Sequence, residues 1–162
     1  GEGITIYDNK IFQVTWKSNK GFVYDINNFK LLDDFNIYGQ GWGLTNDGQS
    51  LILSDGSEKI YYLNPKNFEI EKTISVSVNG NKLIYINELE FIRGEIWANI
   101  WKSNDIITVN PLSGIVTSIF DISKISEQTE IEDVANGIAW DKVNDKIFIT
   151  GKNWNFIYLL DI

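Results

Sequence analysis

With 162 residues, 43% of them hydrophobic and 22% charged, the chain has the composition of one globular domain with its own core, not of a disordered segment. Its net charge of −8 repels phosphate backbones, no basic stripe interrupts it, and no apolar run approaches the ~18 residues that span a bilayer, so neither nucleic acid nor membrane is an expected partner. The sequence has no Cys and no His, which removes disulfides, thiol nucleophiles, the usual zinc ligands and the Ser-His-Asp and Cys-His constellations; carboxylates, Lys, Tyr and amides are left to carry any chemistry.

Taken in chain order, the elements repeat. The chain opens on Gly1-Glu2-Gly3 with neither initiator Met nor signal peptide, which reads as processing or as a fragment. A first repeat (about 1–40) runs from Glu2-Gly3-Ile4 through the turn Tyr7-Asp8-Asn9 into strands expected at 10–16, 21–26 and 30–38. A second (41–85) runs from Trp42-Gly43-Leu44 through Asn46-Asp47-Gly48 into strands at 50–55, 59–64 and 69–78. A third (86–134) begins Asn87-Glu88-Leu89, turns at Ile92-Arg93-Gly94 and continues at 95–101, 105–110 and 115–122. The fourth (135–162) begins Asn136-Gly137-Ile138, turns at Val143-Asn144-Asp145 and shows strands at 146–152 and 156–161, without a visible outermost strand. Equivalent positions 3, 43, 88 and 137 are spaced by 40, 45 and 49 residues. Four short strands every 40 to 50 residues, joined by Asn-Asp-Gly type turns, make the blade of an all-β propeller; a β-sandwich does not repeat at this period. The chain reads as a single propeller domain over residues 1–162 whose ring is incomplete.

The first strand of a propeller blade lines the central axis, so repeat-equivalent positions converge in space. The position before each opening Gly or Glu holds Glu2, Trp42, Asn87 and Asn136. The position five residues after the first apolar residue of each second strand (Ile11, Leu51, Ile96, Ile147) holds Trp16, Gly56, Trp101 and Lys152. One carboxylate, one ammonium, two amides and three indoles are thereby expected around one funnel, where an ordinary core would place Val, Leu or Ile. Each has a plainer reading: an indole at a strand end packs, Glu2 and Lys152 are solvated charges, and Asn136 before Gly137 caps a turn. Convergence favours a small-molecule pocket and accounts for three of the six Trp in so short a chain. The cluster Gly39-Gln40-Gly41-Trp42-Gly43 has the glycines of a phosphate loop, but no helix follows it. No EF-hand pattern supports calcium. The one Arg, Arg93, reads as compositional bias without a function.

Eight segments resemble the glutamine cyclotransferase family, in order and with fitting gaps. They are Gly1-Glu2-Gly3-Ile4, Gln13-Val14-Thr15-Trp16, Gly41-Trp42-Gly43-Leu44-Thr45, Ser54-Asp55-Gly56, Asn87-Glu88-Leu89-Glu90, Ile96-Trp97-Ala98-Asn99-Ile100-Trp101, Asn136-Gly137-Ile138-Ala139 and Thr150-Gly151-Lys152-Asn153-Trp154. The resemblance covers the whole chain. It implies a five-bladed propeller, a metal-independent cyclase of the plant and bacterial type without a cofactor, and a secreted or periplasmic life. It further implies a catalytic carboxylate at Glu2, a pocket of Trp16, Trp42 and Trp101, and polar ligands at Asn87 and Lys152. The family's first blade, with a Phe-Thr-Gln-Gly-Leu-Glu type motif, has no counterpart in this sequence.

The implied reaction makes pyroglutamate from the N-terminal glutamine of a peptide. The substrate's own α-amine attacks its own side-chain amide, so the enzyme must supply a folded conformer, proton transfers and charge stabilisation. Glu2 is expected to take the ammonium proton and return it to the departing ammonia. Lys152 or Asn87 faces the developing oxyanion, while the indoles exclude water and bend the substrate. Expected partners are peptides beginning with glutamine. The enzyme is expected to be a monomer, with the absent first blade as a conceivable second fragment. Two other functions fit a propeller: a module that captures peptides or sugars without turnover, and a lactonase-type enzyme needing a metal held by acidic and amide groups.

Overall fold

The computed structural model describes residues 1–126 and 134–161; the tail of the third repeat at 127–133, and Ile162, lie outside them. Four small antiparallel sheets follow one another in chain order and are arranged as a propeller. The first contains β1 (Ile4–Tyr7), β2 (Lys10–Val14), β3 (Lys20–Asp25) and β4 (Leu31–Asn36). The second contains β5 (Leu44–Asn46), β6 (Leu51–Ser54), β7 (Lys59–Leu63) and β8 (Ile70–Ser75). A two-stranded ribbon, β9 (Ser77–Val78) with β10 (Asn81–Lys82), precedes the third sheet of β11 (Ile86–Ile92), β12 (Glu95–Ile100), β13 (Asp105–Val109) and β14 (Val116–Asp121). After the single-turn helix α1 (Ser123–Ser126) comes a three-stranded sheet of β15 (Ala135–Asp141), β16 (Lys146–Gly151) and β17 (Tyr158–Leu160).

Strand side chains alternate between faces, and a sheet packed on both sides must therefore be apolar on both. β6 shows this directly, because all four of its residues are buried. Leu51 and Leu53 pack toward the first sheet with Phe12, Val14 and Val23, whereas Ile52 faces the third sheet with Ile86, Leu89 and Ile96. β12 repeats the scheme: Ile96 and Ala98 face the second sheet, and Trp97 joins Ile138, Ile147 and Ile149 against the fourth. Three cores thus sit between four sheets. On β1, Ile4 and Ile6 share one face and are each 59% exposed. They line a cleft of about 1070 Å³ whose opposite wall is Ile138, Ala139, Phe148, Ile149 and Ile157 of the fourth sheet and its connections.

Polar links between inner strands hold the sheets in register. Asn46 of β5 donates from Nδ2 to Thr5 Oγ1 (2.8 Å) and to the Ile6 carbonyl (3.0 Å) of β1. On β11, Glu88 accepts from the Ile138 amide (3.0 Å) and Glu90 from the Trp140 amide (3.2 Å), both on β15. Glu90 also accepts from the Thr45 hydroxyl of β5 (3.0 Å), which ties three sheets together.

Three expectations from the sequence change. The strand expected at 69–78 ends at Ser75, because Asn79 and Gly80, both at positive φ, fold Ser77–Val78 back onto Asn81–Lys82. The second strands of the first, third and fourth repeats stop at Val14, Ile100 and Gly151, so Trp16, Trp101 and Lys152 stand just beyond strand ends. Arg93 has a structural role: its guanidinium donates from Nε (3.1 Å) and Nη2 (2.8 Å) to the two Asp145 carboxylate oxygens, joining the β11–β12 turn to the β15–β16 turn.

Candidate active site

The inner strands deliver the site through two equivalent irregularities. Between the pairs Ile86–Ile100 and Leu89–Ala98, Asn87 and Glu88 stand opposite the single residue Asn99. Between Ala135–Gly151 and Ile138–Ile149, Asn136 and Gly137 stand opposite Thr150. Such a bulge re-aims a side chain at a barrel or propeller rim; here Asn87 lines the aromatic pocket and Asn136 the adjoining cleft. In the second sheet the Ser54 hydroxyl binds the corner instead, donating to the Asn87 carbonyl (2.5 Å) and accepting from the Gly43 amide (2.8 Å). Gly43 is required there, since a Cβ would lie 2.2 Å from that same carbonyl.

Glu2, Trp16, Trp42, Asn87, Trp101 and Lys152 line one pocket. The Glu2 amide is fixed to the Val14 carbonyl (2.9 Å) and the Lys152 amide to the Val134 carbonyl (2.9 Å). Their side chains meet, with Lys152 Nζ 3.6 Å from Glu2 Oε2, so this ion pair links the first repeat to the fourth at one end of the cleft. Trp42 meets Trp101 edge to face at 5.5 Å, and Tyr85 meets Trp101 likewise at 5.8 Å. Trp42 lies flat over Gly56, where φ is +83° and a Cβ would stand 2.6 Å from its ring. Lys17 Nζ sits 4.0 Å from the Trp16 ring centre and Lys102 Nζ 4.6 Å from that of Trp101, so two of the three indole walls already carry an ammonium. Asn87 is buried at 4% exposure.

Asn136 does not join this aromatic pocket. It lines the adjoining cleft, which shares Glu2 and also contains Glu88 and Glu90. Its Oδ1 is buried and accepts no hydrogen bond among the described residues. Burial and then the neighbouring Glu90 charge push the Glu88 carboxyl up to about 8, against the opposing pull of the Ile138 amide. Burial raises Glu90 as well, while the Thr45 hydroxyl and the Trp140 and Phe91 amides hold it back. Among the described residues no three acidic side chains converge as a metal site would require.

Sequence reasoning missed Glu88, Glu90 and Tyr85. The carboxylates left a signal in the alternation Asn87-Glu88-Leu89-Glu90-Phe91, two acids on one face of a strand that is otherwise buried. Tyr85 left none, since its place depends on a positive φ of 67° and on the hydrogen bond that the Trp101 backbone N–H donates to its carbonyl (2.8 Å).

Relatives carry the same architecture. The chain is 37% identical to the glutaminyl-peptide cyclotransferase of Arabidopsis thaliana over 168 residues, covering all of this chain and 52% of that protein. It thus spans about half the length of that curated relative. The crystal structure of Myxococcus xanthus glutaminyl cyclase superposes with a TM-score of 0.91 at 30% identity, over 99% of this chain and 73% of that one. The Neurospora crassa Pan2 WD40 domain superposes with a TM-score of 0.52 at 11% identity, over 97% and 61% of the respective chains, a likeness of fold alone. The family model described as glutamine cyclotransferase matches residues 1–162 from end to end, and the chain belongs to that family.

Proposed function

We propose that the chain forms the catalytic part of a glutaminyl-peptide cyclotransferase, converting the N-terminal glutamine of peptides into pyroglutamate with release of ammonia. The observation that carries this reading is the pocket itself: a carboxylate and an ammonium 3.6 Å apart, walled by three indoles. Cyclisation forms a bond from the substrate's α-nitrogen to its side-chain amide carbon and breaks the bond from that carbon to the amide nitrogen. Nucleophile and electrophile share one residue, so a pocket that folds the side chain back supplies much of the acceleration. The free α-amine ordinarily titrates near 7.7–8.0, which leaves a usable neutral fraction at pH 7. Glu2 accepts the proton that the amine sheds on attack and delivers it to the departing nitrogen, so a single carboxylate serves both transfers. Lys152 and the Asn87 side-chain amide face the oxygen that gains charge. Trp16 and Trp101 already carry lysine ammoniums, so Trp42 is the wall that favours the incoming ammonium, and the three indoles together keep water from the reacting carbon.

The cleft between the first and fourth sheets is the place for a further blade. Ile4 and Ile6 on one wall and Ile157 on the other present the apolar surface that a packed sheet covers. In this reading the working enzyme is a monomer with the cleft filled, and it acts outside the cytoplasm, secreted or periplasmic, as the family kinship implies.

The deciding assay is ammonia release from a synthetic peptide beginning with glutamine, with chelator present. It is run on residues 1–162 alone and on the same segment fused to the remaining sequence of the Myxococcus xanthus cyclase. Chelator-resistant release supports the proposal; peptide binding without release identifies a capture module, and release abolished by chelator identifies a metal enzyme.

A further inference from the structure

Gln40 lies in the loop that joins the first sheet to the second, and among the described residues its side chain hydrogen-bonds to two of the pocket's indoles and to no charged group. The loop is anchored by the Gly41 amide, which donates to the Thr15 carbonyl (3.0 Å), and by the Ile37 amide, which donates to the Asn19 carbonyl (3.0 Å). Its side-chain carbonyl oxygen accepts two hydrogen bonds, one from Trp16 Nε1 (2.7 Å) and one from Trp42 Nε1 (2.8 Å). An indole N–H can only donate, and an amide oxygen has two lone pairs, so one acceptor saturates both rings. The same reasoning fixes the orientation of the amide, because its NH₂ end would oppose two donors.

The geometry points to Gln40 as the positioning residue of the substrate pocket: it clamps the indoles of Trp16 and Trp42, from two different repeats, into one wall. Nothing else described fixes Trp16 so directly, since that residue lies beyond the end of β2 and is 46% exposed. Trp42 has three constraints, namely Gly56 beneath it, Trp101 against its edge and Gln40 at its nitrogen. Through Trp42 the clamp passes on to Trp101. Gln40 thus acts through the rings and is distinct from the groups that move protons. This inference rests on the cyclase reading for its substrate, though the clamp itself is a matter of geometry alone.

The test compares Gln40→Leu, which keeps the bulk and removes the acceptor, with Gln40→Glu, which restores it. Six indole N–H resonances are available, one for each Trp, with Trp16→Phe and Trp42→Phe to assign two of them. In Gln40→Leu those two should move upfield together, Trp101 should shift less through its edge contact with Trp42, and the other three should stay largely in place. On a glutamine-initiated peptide, KM should rise about five- to ten-fold, the effect of losing modest partly exposed hydrogen bonds, and kcat should fall by less. Gln40→Glu should recover both resonances and most of the KM. The inference is overturned if the Trp16 and Trp42 resonances of Gln40→Leu coincide with wild type. It is equally overturned if they move while KM stays unchanged. Should neither residues 1–162 nor the fused form with the cleft filled release ammonia, the cyclase reading fails, and the two resonances alone decide whether Gln40 holds the wall.

Discussion

Replacing Glu88 by Gln should flatten the pH dependence of folding stability. A carboxyl carried from 4.5 in a free side chain to about 8 in the fold binds a proton in the native state and not in the unfolded state throughout that interval. Native structure is then favoured at low pH, and stability declines as pH rises from the lower value through the upper. At 1.36 kcal/mol for each pKa unit the full decline is about 5 kcal/mol. Glu88 also lines the cleft and keeps some contact with solvent, so about 2–5 kcal/mol is the expected span. Gln retains an oxygen for the Ile138 amide, which separates the titration from the link between β11 and β15. Denaturant titrations from about pH 5 to about pH 9 should show the variant matching wild type at the acid end and exceeding it at the alkaline end. A residual slope of the same sign belongs to Glu90, whose carboxyl is also raised by burial. A wild-type profile that is level across this range, or one that falls equally in Glu88→Gln, would refute the reasoning.

Trp42→Ala and Trp101→Ala should raise KM and lower kcat together while the fold holds. Trp97→Ala, at a site 5% exposed between the third and fourth sheets, should instead cost about 3–5 kcal/mol with activity per folded molecule unchanged. Thermal midpoints set beside active-fraction-corrected kinetics distinguish the two classes. Arg93→Ala should produce a small loss of stability that disappears at high salt, because the ion pair with Asp145 is about half exposed on both sides. Residues 1–162 alone should turn over far more slowly than the fused form with the cleft filled, since Glu2 stands at the edge of that cleft; equal rates in the two would count against the further blade.

The propeller was legible because each repeat carries its own turn chemistry and because a two-faced strand such as Leu51-Ile52-Leu53 has no reading as a solvated hairpin. Six of the seven residues expected around the funnel line one pocket for the same reason, as a repeat converts sequence equivalence into spatial convergence. What escaped depends on particulars that the repeat does not encode. Asn79-Gly80 was a plain hairpin signal inside what looked like one long strand, and the ribbon that it closes has no counterpart in the other repeats among the described residues. Asn136 was placed with the pocket by equivalence with Asn87, yet it lines the adjoining cleft, which shares only Glu2 with the pocket. The Arg93–Asp145 pair joins turns 52 residues apart and follows no local pattern.

The central claim is that Glu2 moves the protons of cyclisation, and Glu2→Gln in the ammonia-releasing form of the protein tests it most directly. The account predicts a loss of ~10²–10⁴ in kcat with circular dichroism and thermal midpoint little changed. A correctly folded Glu2→Gln protein that kept most of its kcat would contradict it.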